Sequence, residues 1–256
     1  MSRQMVISAL DGIPTIRSGD DLAAVIVAAL ERGGLMAQDG DVVVLAQKIV
    51  SKAEGRLVRL ADVEPSPRAV AMAAEADKDA RVVELILRES TAVLRCRPGV
   101  IIVEHRSGSV MANAGIDASN VEGAAPEDEC VLLLPEDCDR SATLLRERLQ
   151  ALLGRDLGVP INDSFGRAWR NGTVGTALGV AGVPALWDMR GMPDRNGRVL
   201  RATEVGVADE LAAAASLLMG QAAENLPVVH VRGFPVAMRP GSVRELIRDR
   251  AIDLFR

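Results

Sequence analysis

Tyrosine is absent from this 256-residue chain, which contains only three phenylalanines and two tryptophans. Because 48% of the residues are nevertheless apolar, the core must be built from aliphatic side chains and methionine. Cysteine is scarce too: Cys96, Cys130 and Cys138 are odd in number and show no C-x-x-C spacing. With only two histidines beside them, these cysteines argue against both a disulfide framework and a zinc site.

Long apolar runs and basic clusters are also missing. No run of 18 apolar residues occurs, and the amino terminus lacks the apolar segment of a signal peptide. The formal net charge is −5, and no basic run is present to neutralise the phosphates of a nucleic acid. We therefore expect a cytoplasmic protein that binds neither a membrane nor a nucleic acid.

Three common motifs of nucleotide and acyl chemistry do not occur. There is no G-x-x-x-x-G-K-[ST] loop, and no G-x-S-x-G elbow that would present a nucleophilic serine. Four glycines between residues 172 and 182 lack the spacing of a dinucleotide-binding fingerprint, and we interpret them as sites of tight packing or bending: Gly172, Gly175, Gly179 and Gly182. Any bound nucleotide must therefore be held by a less common scaffold.

Hydrophobic patterning predicts a mixture of strands and helices. We expect strands at residues 6–10, 42–45, 131–134, 158–161 and 228–231, and a hairpin beginning at residues 100–103 with its turn at 106–108. Helices are predicted from about residue 21 to 31, after Pro65 and Pro67, at 82–88, from a cap at Ser141 towards Gly154, at 201–219 and at 243–254. Because strict βαβ alternation is lacking, the predicted fold class is α+β (mixed α/β). Residues 1–256 are expected to form one domain, with two closely associated lobes as a variant of that arrangement.

The first of three polar clusters, residues 47–55, directly follows the apolar run at 42–45. It contains Gln47, Lys48 and Lys52, and two lysines at the end of a strand could meet a polyphosphate. The alternative is a solvated helix start in which Lys52 pairs weakly with Glu54. On this segment alone, the alternative is favoured.

The second cluster, residues 113–120, places Asn113, Asp117, Ser119 and Asn120 around a glycine. Carboxylate, amide and hydroxyl oxygens are the ligands that a hard cation prefers. The same residue types also form Asx turns through local hydrogen bonds to the backbone. The two interpretations carry equal weight.

The third cluster, residues 162–167, follows the strand predicted at 158–161. Asp163 and Ser164 could share a metal ion with Asp117, while Arg167 and Arg170 could reach a phosphate or a carboxylate. Alternatively, Asp163 or Ser164 caps a helix.

Taken in order, the three clusters resemble one family, the coenzyme F420-0:L-glutamate ligases, also called F420 gamma-glutamyl ligases. Further matching segments bring the resemblance to nearly the whole chain: residues 12–14, 84–90, 132–135, 208–212, 217–220 and 231–233. The resemblance implies an unusual fold with mixed β-sheets flanked by helices, and an intertwined homodimer. The nitroreductase-like domain that follows in longer bacterial relatives is expected to be absent.

The resemblance also implies a reaction. GTP would activate the terminal carboxylate of coenzyme F420-0, a deazaflavin coenzyme precursor, as an acyl phosphate, and the amine of L-glutamate would then form the amide bond. The implied metal is Mg²⁺ or Mn²⁺, and a further K⁺ requirement is left open.

The site residues are carried over by position. Asp117, Asp163 and Ser164 match metal ligands, and we expect Asp117, Asp163 and Lys52 to act in catalysis. The segments that match the nucleotide site of the family are Ile13, Pro14, Thr15 and Ile16, then Gln47, Lys48 and Lys52, then Asn120, and finally Met219, Gly220 and Gln221. Asn162 and Phe165 replace residues that are often threonine and asparagine. Gln221 stands where some members have a glutamate, which leaves the binding of a second metal ion open.

Three other functions remain to be separated from this one. The protein could ligate an amino acid to a different carboxylate-bearing phosphodiester, because the metal and nucleotide residues do not fix the acceptor. It could bind GTP without consuming it, as a regulator. Lastly, the clusters could be only turns and caps in a structural protein, which would require several specific segments to occur in this order by chance.

Overall fold

The structure, a computed structural model, describes residues 4–118 and 129–254. Its main sheet has five strands in the order β1 (Val6–Ala9), β12 (Val228–Arg232), β2 (Val42–Ala46), β8 (Val159–Arg167) and β9 (Arg170–Ala181). Only the β2–β8 pair is parallel, and the other three pairs are antiparallel. The central strand β2 therefore lies between β12, from the carboxyl-terminal part of the chain, and β8.

The central strand β2 is buried on both faces of the sheet. Helices α1 (Leu22–Arg32) and α5 (Cys138–Leu153) cover one face, where Val43 and Leu45 contribute to the core. Helix α6 (Val207–Met219) covers the other face, against Val42 and Val44. This two-sided burial explains why the sequence of β2 is an unbroken apolar run and not an alternation.

Two glycines of β9 allow the helices to approach the sheet closely. A Cβ atom built on Gly175 would lie 2.4 Å from the carbonyl oxygen of Ala212 in α6. On the other face, a Cβ atom on Gly179 would lie 2.3 Å from the backbone of Cys138 in α5. The predicted packing role of the glycines is thus confirmed at these two positions.

The residues between β2 and α5 form a second group of elements. These are α2 (Gln47–Ala53), β3 (Leu57–Arg59), α3 (Pro67–Ala76), α4 (Ala80–Arg88), β4 (Ser90–Arg97), β5 (Val100–His105), β6 (Val110–Ala112) and β7 (Cys130–Leu132). Strand β3 pairs with β7, while β4, β5 and β6 form an antiparallel sheet. Helices α3 and α4 pack on that sheet around a separate core that includes Val83, Ile86 and Ile101. A short pair, β10 (Trp187–Asp188) and β11 (Glu204–Val205), precedes α6. These helices and mixed sheets confirm the α+β fold class.

Several predicted boundaries were wrong. Strand β8 does not end at residue 161 but continues to Arg167, because it pairs with β9 along its whole length. Helix α5 begins three residues before Ser141, with Asp137 accepting a hydrogen bond from the Arg140 amide at 3.0 Å. Helix α6 begins at Val207, since residues 204–205 belong to β11.

The helix predicted at 243–254 is also wrong. Two short 3₁₀ turns, Val243–Leu246 and Arg250–Ile252, occupy that range. Val243 is buried, but Ile252 and Leu254 are 72% and 88% exposed, so the second half of the apolar stripe of the predicted helix finds no surface to pack against. Most helical stability in proteins comes from such packing, which explains the absence of the helix. Among all described residues, no helix has the length and apolarity needed to cross a bilayer.

Candidate functional site

A cavity of about 850 Å³ opens where β2 leads into α2. Four parts of the chain line it: residues 14–18; residues 46–49 with Lys52 and Leu57; residues 162–164; and Ser216 with residues 219–227, at and after the end of α6. Its volume falls within the range that holds a small-molecule ligand or cofactor.

The first wall is an extended segment fixed from behind. Ile13 and Ile16 are buried in the core beneath α1, whereas Pro14 and Thr15 are exposed. The guanidinium group of Arg32, at the end of α1, donates hydrogen bonds to the carbonyl oxygens of Asp11 at 3.3 Å and Gly12 at 2.9 Å. Anchored in this way, the segment lines the cavity with Pro14, Thr15 and Ile16, so only Ile13 of the four predicted residues does not line it.

Helix α2 supplies the second wall. Lys48 and Lys52 are four residues apart, so their side chains leave the same face of the helix, and both line the cavity. Gln47 is buried beside them, and its side-chain oxygen accepts a hydrogen bond from the Ser51 hydroxyl at 2.8 Å. The interpretation of residues 47–55 as a merely solvated helix start does not fit this placement.

Asp117 lies at the border of the cavity, where it contacts the lining residue Lys48. Its backbone is fixed to β7 by two hydrogen bonds with Leu132, of 3.0 Å and 2.8 Å. Its carboxylate oxygen Oδ2 lies 2.5 Å from Lys48 Nζ. Asn113, by contrast, has a structural role, since its side-chain oxygen accepts a hydrogen bond from the Ile101 amide at 3.0 Å. Within the described part of this cluster, Asn113 therefore has a structural role, whereas Asp117 forms an ion pair with a lysine that lines the cavity.

Asp163 and Ser164 lie within β8, just beyond Asn162, the last residue that pairs with β2. From there onward β8 is paired only with β9, and the two strands extend as an arm from the sheet. A strand continues through both residues, so the helix-cap interpretation of this cluster was wrong. The Ser164 amide donates a hydrogen bond to Asp163 Oδ1 at 2.8 Å.

The electrostatics of Asp163 connect it to the second carboxylate. Burial raises the pKa of Asp163 to about 6, and repulsion from Asp117 adds to the increase. The Ser164 amide and the positive charge of Lys48 act in the opposite direction. Asp163 therefore lies close enough to both Asp117 and Lys48 for their charges to affect its pKa. A site for a metal ion and a polyphosphate requires such proximity of carboxylate and ammonium groups.

Two residues that the resemblance marked as departures, Asn162 and Gln221, also line the cavity. Asn162 is buried, with its side-chain nitrogen 3.4 Å from Met219 Sδ, and its oxygen Oδ1 has no hydrogen-bond partner within the described chain. Gln221 is exposed and donates a hydrogen bond from Nε2 to the Ser216 hydroxyl at 3.1 Å. Its neutral amide is a weaker ligand for a hard dication than a carboxylate.

The structure thus brings most of the predicted site residues together around one cavity. They are Pro14, Thr15, Ile16, Gln47, Lys48, Lys52, Asp163, Ser164, Met219, Gly220 and Gln221, with Asp117 at its border. Ile13 lies behind the wall, and Asn120 lies outside the described residues. Sequence reasoning missed Arg17, Ser18 and residues 222–227. Arg17 directly follows a predicted segment, whereas residues 222–227 form a connection without a motif.

Comparison of the sequence with known proteins identifies its family. The F420-0:Gamma-glutamyl ligase family model matches residues 12–233. The chain is 47% identical to the coenzyme F420:L-glutamate ligase of Methanothermobacter thermautotrophicus over 249 residues, which are 96% of this chain and 97% of that protein. It is 44% identical to the enzyme of that name from Archaeoglobus fulgidus over 247 residues, which are 96% of this chain and 94% of the relative. The chain therefore belongs to the F420-0:gamma-glutamyl ligase family.

Proposed function

We propose that this protein is a GTP-dependent ligase that joins the amine of L-glutamate to the terminal carboxylate of coenzyme F420-0. The observation that carries the proposal is that Asp163 and Lys48 line one large cavity, and that Asp117, far from Asp163 in sequence, forms an ion pair with Lys48 at its border. The names of the relatives, coenzyme F420:L-glutamate ligase, support glutamate and this coenzyme as the substrates.

A magnesium or manganese ion would be held by Asp117, Asp163 and Ser164. This donor set suits a hard cation, because it consists of two carboxylates and a hydroxyl group. Within the described residues, no group of three or more histidine, cysteine, aspartate or glutamate side chains is assembled, so phosphate oxygens and water would complete the coordination. A dication bound there would neutralise charge on the phosphate oxygens. The additional K⁺ requirement stays a prediction.

The chemistry follows from the poor reactivity of a carboxylate, which cannot expel oxide when an amine attacks. A carboxylate oxygen of the acceptor attacks the γ-phosphorus of GTP, the bond to the β-phosphate oxygen breaks, and GDP leaves. The amine of glutamate then attacks the acyl carbon, inorganic phosphate leaves, and the amine loses a proton. Lys48 and Lys52 stabilise the negative charge of the phosphoryl group during its transfer, and no side-chain nucleophile is required.

The decisive experiment measures product and nucleotide together. The protein is incubated with GTP, MnCl₂, L-glutamate and coenzyme F420-0, and mass spectrometry follows the mass of one added glutamate while GDP is quantified. We expect one GDP for each amide bond formed, and a loss of at least 100-fold in Asp117→Asn and in Asp163→Asn because each loses a charged metal ligand.

Asp62→Asn is the matched control, since Asp62 is an exposed carboxylate that pairs with Arg59 and does not line the cavity. Full Mn²⁺-dependent turnover in Asp117→Asn would refute the ligand assignment. GTP binding without GDP formation would favour a regulator, and turnover only with other acceptors would favour a different phosphodiester substrate. The homodimer implied by the resemblance is tested separately by light scattering.

A further inference from the structure

The ion pair between Lys48 and Asp117 joins two residues that the proposed function assigns to different ligands. Lys48 Nζ lies 2.5 Å from Asp117 Oδ2, the two side chains are 30% and 27% exposed, and Lys48 lines the cavity. In the proposed function, Asp117 holds a divalent cation, whereas Lys48 meets the phosphates of the nucleotide.

These two roles oppose each other while the ion pair persists. The ammonium group occupies Oδ2 of Asp117, and a dication bound to either oxygen of this carboxylate would be repelled by the nearby ammonium charge. Similarly, an ammonium group held by a carboxylate is poorly placed to bind phosphate. Separation of the pair when the ligands bind would remove this repulsion and give each partner its own ligand.

Lys48 is the partner that can move. Asp117 is fixed by its two backbone hydrogen bonds to Leu132, whereas a lysine carries its charge on a flexible four-carbon stem. Lys48 also projects into the same cavity as Lys52 and Asp163, where the phosphates would lie. A change of rotamer would carry its charge from Asp117 towards a phosphate without displacing α2.

We propose that Lys48 substitutes for the divalent cation at Asp117 in the ligand-free protein and transfers to the nucleotide phosphates when the cation binds. This inference rests on the proposed function and adds an exchange step to it. In the ligand-free protein, the ammonium group offsets the repulsion between Asp117 and Asp163. Because Lys48 competes with the cation but assists the nucleotide, it couples the binding of the two ligands.

The proposal predicts that removing the charge of Lys48 changes the affinities for Mn²⁺ and for GDP in opposite directions when each ligand is measured alone. Mn²⁺ binding without nucleotide and GDP binding without metal are measured by calorimetry for the wild type, Lys48→Met, Lys48→Arg and Arg17→Met. In Lys48→Met we expect Mn²⁺ to bind about 5- to 10-fold more tightly and GDP to bind at least 5-fold more weakly, in line with typical coupling between sites. Lys48→Arg retains a cation for Asp117 and should bind Mn²⁺ within about twofold of the wild type, because a competitor is still present.

Arg17→Met is the matched control, since it removes one positive charge from the same cavity at an exposed residue. Equal gains in Mn²⁺ affinity in Arg17→Met and Lys48→Met would show only a general charge effect and overturn the proposal. Unchanged or weaker Mn²⁺ binding in Lys48→Met, whatever its affinity for GDP, would overturn it as well. If the wild type binds neither Mn²⁺ nor GDP, the proposed function itself fails, whereas binding of both without the gain refutes only the exchange.

Discussion

A buried carboxylate joins the central strand to its neighbour from the end of the chain. Asp41, which is 2% exposed, precedes β2 and lies 2.8 Å from His230 Nε2 in β12. It also accepts hydrogen bonds from Arg232, the shortest of 2.7 Å, and from the Gln38 amide at 2.9 Å. Burial opposes ionisation of Asp41, but the hydrogen bonds from Arg232 and His230 outweigh it and lower the pKa of the carboxyl group.

This arrangement predicts an acid-dependent contribution to stability. Because the pKa of Asp41 is lower in the folded chain than its ordinary value of 3.8, the contribution is complete above pH 3.8 and is lost as the pH falls through the lowered value. We expect Asp41→Asn to reduce the unfolding free energy at pH 7 by about 3 kcal/mol, because it leaves buried donors without a charged acceptor. Urea titrations at pH 7 and pH 3 measure both quantities.

The difference in unfolding free energy between Asp41→Asn and the wild type should be smaller at pH 3 than at pH 7. Asp188→Asn serves as the control, because Asp188 pairs with Arg190 at the surface and should change stability little. A constant difference between Asp41→Asn and the wild type at the two pH values would contradict the assignment.

Individual site residues were predictable to different degrees. Clusters of oxygen-bearing side chains identified Asp117 and Asp163, but nothing in their spacing shows that two residues 46 positions apart meet. Their proximity depends on long-range pairing, of Asp117 with β7 and of β8 with β2. Arg32, which fixes the first wall of the cavity, could not be found, because an arginine at the end of a helix has many ordinary roles.

At the level of elements, buried strands were predicted well and exposed ones poorly. The apolar run of β2 has only one plausible structure, a strand covered on both faces. The outer part of β8 is polar and lies on an arm paired only with β9, so it gives no hydrophobic alternation to detect. Similarly, the amphipathic pattern at residues 243–254 specifies a helix only if a complementary apolar surface exists.

The close contact between β9 and α6 predicts that a single added methyl group at Gly175 destabilises the protein. Gly175→Ala would place a methyl carbon within 2.4 Å of the Ala212 carbonyl oxygen, so the helix must move away from the sheet. We expect a loss of about 2–3 kcal/mol in unfolding free energy, which is typical of overpacking. Since α6 ends at the cavity, GDP affinity should fall as well.

Gly166→Ala is the matched control on the β8–β9 arm. A Cβ atom at Gly166 would meet nothing within 4 Å, so this substitution should be tolerated. Chemical denaturation of both variants provides the measurement, and equal stability of the two would show that α6 does not pack as tightly as described.

For the molecule as a whole, the cavity links segments that are distant in sequence. Ligand binding should therefore stabilise the entire fold, and GTP with MnCl₂ at about 100 times its dissociation constant should add roughly 2.7 kcal/mol. For a chain of this size, the melting temperature should rise by about 5–10 °C. ATP should give a smaller increase at the same concentration, if the protein selects GTP as proposed.

The Lys52→Ala variant distinguishes stabilisation by bound GTP from a general stabilising effect of added salt. It should leave the melting temperature of the ligand-free protein nearly unchanged and abolish most of the increase with GTP, because Lys52 lines the cavity. A full increase in Lys52→Ala would remove Lys52 from the nucleotide site.

The position of β2 between β8 and β12 also determines when the protein can acquire its fold during synthesis. Residues 42–46 leave the ribosome more than 100 residues before β8 and about 180 residues before β12. At typical synthesis rates of about 5–20 residues per second, this very apolar strand waits roughly ten seconds or more for its last partner. Until then β2 lacks that partner, and the cavity proposed to bind nucleotide is incomplete because residues 219–227 have yet to emerge.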